Sequence, residues 1–151
     1  MGAVWDPAAA LKAPCSAHWR LWLKQFPQDQ YYVSADAALQ AYGTEGLFNV
    51  VDFASGWKVD FIIRKPRAFS VREFERRQQS EWLGTTLYVA SAEDIVISKL
   101  EWAKASESER QIADVVGILR TRSGQLDLEY IEHWVAALDL HGHWLKARAA
   151  L

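Results

Sequence analysis

The sequence has a single cysteine, no long apolar run and no marked excess of charge. Cys15 cannot form an internal disulfide, and a chain with one thiol is not typical of an oxidising compartment. No apolar stretch approaches the ~20 residues that a membrane-spanning helix requires. Residues 1–23 also lack the basic start and continuous apolar core of a signal peptide. We therefore expect a cytoplasmic protein that does not bind membranes.

Several sequence motifs for nucleotide, metal and hydrolase sites are missing as well. The chain has 17 Lys and Arg against 19 Asp and Glu, so overall charge gives no argument for nucleic-acid binding. The patterns G-x-x-x-x-G-K-[ST], G-x-G-x-x-G and G-x-S-x-G do not occur, which excludes P-loop, Rossmann and α/β-hydrolase proteins. The four histidines show no metal-ligand spacing with Cys15 or a carboxylate pair, so we expect no zinc site.

Length and composition indicate one globular domain. The chain has 151 residues, half of them hydrophobic, which is enough for one sizeable core. We predict a leader and a helix in residues 1–28, followed by a single domain in residues 29–151. Strand patterns dominate residues 29–90 and helical patterns dominate residues 91–151. The predicted fold class is α+β, a small mixed or antiparallel sheet with flanking helices and a helical C-terminal half.

Capping and turn residues give the element boundaries. The predicted strands are Asp29–Val33, Leu47–Phe53, Trp57–Arg64, Gln79–Leu83 and Thr85–Ala90, the last of which is apolar on both faces and is expected inside the sheet. The first three predicted helices are Ser16–Phe26, one that begins at Ser34 and that Gly43 closes, and a short one that Ser70 and Glu73 cap. The other four are one that begins at Ser91, one that Ser106 and Glu109 cap and that Gly124 ends, one that follows Asp127, and His141–Leu151.

Asp60 lies in the middle of a predicted strand, between apolar neighbours. Strand alternation places it on one face with Lys58 and Arg64. A carboxylate there needs a cation, a metal or hydrogen-bond donors, because an unpaired buried charge is costly. Asp52 ends the preceding strand. At that position we expect it to stabilise the turn rather than to act in catalysis.

Lys99 has an unusual place on its predicted helix. Projection at ~100° per residue puts it near the centre of an apolar face with Ile95 and Trp102. Two interpretations stay open. Its stem packs on the core while the amine reaches solvent, or the ammonium meets a phosphate or the Asp60 carboxylate.

The next predicted helix carries a second polar stripe. Arg110, Asp114, Gly117 and Thr121 share one side at helical spacing. The stripe is either a solvated surface pair or the edge of a site, since a mid-helix glycine often marks a close approach by another backbone or a ligand.

A basic segment follows the Asp60 strand. Residues 64–77 contain six basic and two acidic residues, with Phe69 and Phe74 interleaved. Contact with a phosphate backbone and a simple solvated helix face are both open interpretations.

The order of these features resembles a known family. The segments FNVVDFASGWKVDFIIRK, SVREFERR, TLYVASAEDIVISKLEWAK and SERQIADVVGILR together resemble the nucleotidyltransferase-like family of the polymerase-β superfamily, in particular bacterial proteins of the AbiEii toxin type. The resemblance covers about Asp29 to Trp144. It implies Asp60 as a catalytic metal ligand for Mg²⁺ and Lys99 as a catalytic residue. It also places Asp114, with Arg110 before it, at the family's later acidic position. We expect Lys58, Arg64, Arg110 and Asp114 to bind the substrate, an NTP.

The family's defining motif is absent from this chain. A Gly-Ser turn followed by an Asp-x-Asp strand supplies the first two metal-binding carboxylates in that family, and residues 1–28 contain neither. We expect weak or absent nucleotide transfer by this chain, either because its gene start is lost or misassigned or because a short protein uses the scaffold for binding. The alternatives are a partner-binding module, including a homo-oligomer through an exposed sheet edge, and an RNA-binding remnant.

Overall fold

The computed structural model describes residues 26–151, which form two compact units, one that ends at Lys65 and one that spans Pro66–Leu151. The predicted leader, Cys15 and nearly all of the predicted helix Ser16–Phe26 lie outside the described residues. Within residues 26–151, no helix combines the length and the apolar character needed to cross a membrane.

The first unit contains a three-stranded antiparallel sheet in the order β1-β2-β3. Its elements are β1 (Tyr31–Val33), α1 (Ala35–Thr44), β2 (Leu47–Asp52) and β3 (Lys58–Ile62). The buried side chains of Ala38 and Ala41 on α1 pack against those of Phe48 and Val50 on β2. Phe61 of β3 stacks on Phe48 with ring centroids 5.2 Å apart, so one sheet face carries the core of this unit.

Ser34 caps α1 as predicted, but the predicted helix end is wrong. The Ser34 hydroxyl accepts a hydrogen bond from the amide of Ala37 at 3.2 Å. Gly43 lies inside the helix, and Glu45 ends it with a left-handed φ of 53°. The helix continues past Gly43 because glycine can adopt helical backbone angles, although this costs conformational entropy.

The β2–β3 connection confirms a turn role for Asp52. Its carboxylate accepts a hydrogen bond from the amide of Ser55 at 2.9 Å and another from the Ser55 hydroxyl. These bonds lower the pKa of Asp52 below its ordinary value. Gly56 follows with a φ of 71°, a conformation that side chains disfavour.

The second unit holds a β-hairpin and most of the helices, which confirms the α+β fold class. Its elements are α2 (Ala68–Glu75), β4 (Gln78–Trp82), β5 (Thr85–Val89), α3 (Ala92–Ser106), α4 (Glu109–Thr121), α5 (Leu128–Ala137) and α6 (His141–Ala149). The largest fully buried apolar side chains are Phe69, Ile97, Leu100, Ile131, Leu140, Val96, Val115 and Val135. They join α2 to the four-helix segment in one core.

The prediction that the last strand lies inside a sheet is wrong. β4 and β5 form a separate two-stranded antiparallel sheet, and only Leu87 of β5 is partly buried. Leu83 and Gly84, with φ of 48° and 75°, make the connecting turn. Apolar residues on both faces therefore do not show, by themselves, that a strand is buried.

In the second unit, the predicted cap at Ser91 and the predicted helix start after Asp127 are confirmed, and two predicted caps are wrong. Ser91 caps α3 through a 3.1 Å bond from the amide of Asp94, and Asp127 caps α5 through a 2.9 Å bond from the amide of Tyr130. Ser70 instead lies inside α2, where its hydroxyl accepts a bond from Arg67 Nε at 3.0 Å. Ser106 is the last residue of α3, and its hydroxyl donates to a carbonyl of its own helix.

The end predicted for the following helix is also slightly misplaced. α4 begins after Ser108 and ends at Thr121, before the predicted stop at Gly124. Gly124 still has a φ of 73°, so it serves the turn after the helix rather than the helix end itself.

The carboxylate of Asp94 is fully buried and joins three parts of the second unit. It accepts hydrogen bonds from Arg76 Nε at 3.2 Å, from the Ser91 hydroxyl at 2.6 Å and from the Tyr130 hydroxyl at 2.6 Å. The Arg76 guanidinium lies 3.9 Å from the centre of the Tyr130 ring. Burial and the bond to Asp94 raise the pKa of Tyr130. The Asp94 carboxylate therefore links three elements, namely the end of α2, the start of α3, and α5.

Polar pairs continue along the contact between α2 and α3. Arg67 donates to both carboxylate oxygens of Glu101, at 2.5 and 2.6 Å. Glu73 accepts a hydrogen bond from the Ser98 hydroxyl at 2.9 Å. Partial burial raises the pKa of Glu73, and the carboxylates of Asp94 and Glu101 raise it further. The α2–α3 contact thus carries charge along its whole length.

Asp94→Ala should lower the free energy of unfolding by about 3–5 kcal/mol, because it leaves Arg76 and Tyr130 without their buried partner. Urea denaturation of the full chain measures the change. The control is Asp139→Asn, which removes the charge of an exposed pair with Lys104 and keeps a residue that tolerates the φ of 55° there, so it should change stability far less. Equal costs for the two variants would contradict a central role for Asp94.

Glu73→Gln should raise the melting temperature near neutral pH by a few degrees at most. Glutamine keeps an acceptor for Ser98 without a half-buried charge. Because the pKa of this acid is raised on folding, the wild type loses stability as pH rises through that pKa. The two proteins should melt alike at about pH 3, where the carboxyl is neutral in both states. The control is Glu75→Gln, at an exposed position that pairs only weakly with Arg72, and it should change the melting temperature little near neutral pH.

Candidate functional site

Lys99 lies, partly buried, on the side of α3 that contacts α4, and it takes no part in the α2 contact. Helical spacing aligns it with Ile95 and Trp102, whose exposed fractions are 37% and 45%. The Lys99 side chain is 28% exposed. The predicted apolar face around Lys99 is therefore only partly right, because Ile95 and Trp102 are exposed and leave a cation beside exposed apolar and aromatic surface.

The ammonium of Lys99 is held by α4. It donates to Asp114 Oδ2 at 2.7 Å and to Gln111 Oε1 at 3.3 Å. Sequence reasoning named Lys99 and Asp114 separately, but it did not predict that they pair or that Gln111 joins them. No sequence signal marked Gln111, since a glutamine on an exposed helix face is common.

The pairing changes the titration of Asp114. The hydrogen bond from Lys99, its positive charge and the charge of Arg110 all lower the pKa of Asp114. For an acid whose pKa is lowered on folding, the pair's stabilisation is present above the ordinary aspartate pKa. It is lost as pH falls through the lowered pKa. The Asp114 carboxylate is therefore ionised at neutral pH.

Arg110 and Gly117 extend this surface along α4. Arg110 is exposed one helical turn before Asp114. Its charge lowers the pKa of the Asp114 carboxylate, although the two side chains form no ion pair among the described contacts. At Gly117, an added Cβ would meet no atom of the described residues within 4 Å. A close approach by another part of the described chain therefore does not explain this glycine.

Asp60 has a different environment from the one predicted. The expectation of a carboxylate enclosed by apolar neighbours is wrong, because its side chain is 47% exposed. It pairs with Lys58 of the same strand at 3.2 Å, and Lys58 is itself 54% exposed. Arg64, just beyond β3, is half-buried. An exposed pair of this kind contributes little to stability.

The side chains around Asp60 do not form a complete Mg²⁺ site. Mg²⁺ requires octahedral coordination by several oxygens. Across residues 26–151, no three His, Cys, Asp or Glu side chains are grouped so that they could hold a metal ion. A role for Asp60 as a metal ligand therefore stays a prediction from the resemblance.

The basic segment uses much of its charge inside the second unit. Arg67 and Arg76 take part in the α2–α3 contacts described above. Arg77 donates to the carbonyl of Phe74 at 2.5 Å, and its guanidinium lies 3.9 Å from the Phe74 ring and 4.9 Å from the Tyr88 ring. These contacts favour a structural role for the segment over a nucleic-acid interface.

No protein-family model, characterised protein or solved structure matches this chain. The resemblance to the nucleotidyltransferase-like family therefore rests on the sequence segments quoted above.

Gly117→Ala should raise the free energy of unfolding by up to about 1 kcal/mol, because alanine is the better helix former and the position is open. Thermal and urea denaturation measure the gain. Gly124→Ala is the control and should destabilise, since Gly124 has a φ of 73°. A loss of stability in Gly117→Ala would show that the helix needs glycine there for its own packing.

Proposed function

We propose that this chain is a nucleotidyltransferase-like protein whose Lys99–Asp114 surface binds the phosphates of an NTP, and that it transfers nucleotides weakly or not at all. One observation carries the proposal. The two residues that the resemblance assigns to the later part of the site, Lys99 and Asp114, lie on different helices and contact each other at 2.7 Å. If Lys99 and Asp114 were only solvated, each on its own helix, they would not need to contact each other.

The paired lysine still has capacity for a phosphate. An ammonium group has three donors, and Asp114 and Gln111 take two of them. Arg110 adds a second positive charge beside the single negative charge of Asp114. The cluster of Lys99, Arg110 and Asp114 is therefore net positive, which favours an anionic ligand.

Trp102 supplies a surface for the base. Its exposed side chain is one helical turn from Lys99 on the same stripe. Stacking of a base on an aromatic ring contributes about 1–3 kcal/mol and tolerates any base. In this proposal the phosphates contact Lys99 and the base contacts Trp102, and Mg²⁺ arrives with the triphosphate.

Weak catalysis follows from the missing carboxylates. The chain lacks the Gly-Ser and Asp-x-Asp motif, and Asp60 alone offers too few oxygens for in-line transfer assisted by two metal ions. Binding without turnover is the activity that these residues support.

Partner binding is the second candidate function. It is favoured by the exposed apolar side chains of the β4–β5 hairpin, among them Trp82, Leu83 and Tyr88, which are 66%, 93% and 59% exposed. Scattered exposed apolar residues are common, but their concentration on one hairpin is typical of an interaction surface.

Lys99→Ala should weaken binding of Mg²⁺–ATP by about 10-fold or more, because a hydrogen bond to a charged group is lost and Asp114 is left to repel the phosphates. Isothermal titration calorimetry, with tryptophan fluorescence as a second readout, measures the affinity. The matched control is Lys104→Ala, which removes another ion pair of α3, the one with Asp139 at 2.9 Å. That variant should bind within about twofold of wild type.

Two outcomes would contradict the proposal. One is the absence of saturable ATP binding by the wild type. The other is an equal loss of affinity in Lys99→Ala and Lys104→Ala, which would indicate nonspecific attraction to positive charge. Label transfer from ATP to a mixture of cellular RNA should stay at background for the wild type.

A further inference from the structure

The β4–β5 hairpin is a sheet of two strands with both outer edges open among the described residues. All of its strand residues except Leu87 are exposed. An isolated two-stranded hairpin is marginally stable in water, and additional strands or a packed face stabilise it. The hairpin is thus the part of the second unit most suited to gaining a strand.

The edges of the two sheets differ in how they are protected against strand addition. Proteins protect edges with short strands, charges or proline. β1 has three residues, β3 carries Lys58 and Asp60, and β4 carries Glu81. β5, with the sequence TTLYV, has no charge and no proline, and its residues favour strands. Among the described strands, β5 is the edge without protection.

Hairpin geometry determines which β5 groups are open to a partner. Trp82 and Thr85 flank the two-residue turn and form the first hydrogen-bonded pair of the hairpin. From there, hydrogen-bonded and non-hydrogen-bonded pairs alternate along the strands. Leu87, opposite Ser80, then bonds within the hairpin. Thr86 and Tyr88 direct their backbone N–H and C=O groups outward.

This pattern is self-complementary. In an antiparallel pair of two β5 strands centred on Leu87, Thr86 of one copy faces Tyr88 of the other, and the two outward-facing residues exchange hydrogen bonds. Leu87 then faces its own copy as a non-hydrogen-bonded pair, in which side chains approach most closely. β5 itself contributes no charged side chain to this seam, and the Arg77 guanidinium lies 4.9 Å from the Tyr88 ring of its own copy. A second copy of the chain therefore fits the edge under two-fold symmetry.

We propose that the chain forms a homodimer in which β5 pairs with β5 of a second copy, which converts two hairpins into one four-stranded sheet. The paired strands bring Leu87 and Val89 of both copies onto one face, together with Trp82 of each hairpin. Because β5 itself has no charged side chain, its edge favours a second copy over a charged peptide or a nucleic acid. The dimer does not depend on nucleotide binding at Lys99.

The test is the molar mass of the full chain by sedimentation equilibrium over a concentration series. Wild type should approach twice the 17.2 kDa chain mass. Thr86→Pro removes an outward N–H, which an edge strand tolerates, and should raise the dimer dissociation constant at least about tenfold. The control is Glu81→Pro, because Glu81 lies directly opposite Thr86 on the other edge. That variant should remain dimeric.

A charge pair separates dimer loss from misfolding. Leu87→Lys places like charges opposite each other at the two-fold axis and should give a monomer. Mixing it with Leu87→Glu should restore the dimer mass, which a folding defect would not do. A monomeric wild type, equal effects of the two proline variants, or no recovery on mixing would overturn the proposal. Because ATP titration is a separate measurement, failure here leaves the nucleotide site unaffected.

Discussion

The buried carboxylate of Asp94 is the interaction on which the second unit depends. A charge with no solvent exposure is tolerated only when donors surround it, and here the donors come from Arg76, Ser91 and Tyr130. Because these donors lie at the end of α2, before α3 and on α5, they fix the rotation of α3 about its own axis.

That fixed rotation gives α3 three distinct faces. Val96, Leu100 and Ala103 enter the core, while Ser98 and Glu101 face α2. Lys99 is left to face α4. The candidate site is therefore a consequence of packing elsewhere: the Lys99–Asp114 contact forms because the core and the α2 contact occupy the other two faces.

Much of the fold could be predicted from local signals. The caps at Ser34 and Ser91 and the helix start after Asp127 were correct because these side chains bond amides only three residues away, within reach of sequence reasoning. The caps at Ser70 and Ser106 failed for a different reason. Ser70 lies inside α2 and accepts a bond from the Arg67 side chain, and Ser106 is the last residue of α3 and donates to the Trp102 carbonyl, so neither side chain bonds an amide at the start of a helix.

Burial in the sheets could not be predicted in the same way. The sequence correctly predicted which β3 side chains share a face, but β3 is an edge strand and Asp60 is exposed beside Lys58. β5 has the composition of an interior strand, yet it pairs with β4 alone. Which strands neighbour each other depends on contacts distant in sequence, and a single strand's composition does not contain that information.

The site shows the same limit. Helical projection identified Lys99 and the stripe containing Asp114 because each is unusual on its own helix. Their pairing, and the part played by Gln111, depend on how α3 and α4 cross, which the core of the second unit sets.

The most direct test of the central claim, that the α3–α4 surface binds a nucleotide, is an NMR titration of the wild-type chain with ATP. Our account predicts saturable shifts of the backbone amides of Lys99, Gln111 and Asp114, and of the Trp102 indole. The amides of α5 should not move. Saturating ATP that shifts none of these signals, or shifts only signals outside α3 and α4, would contradict the account.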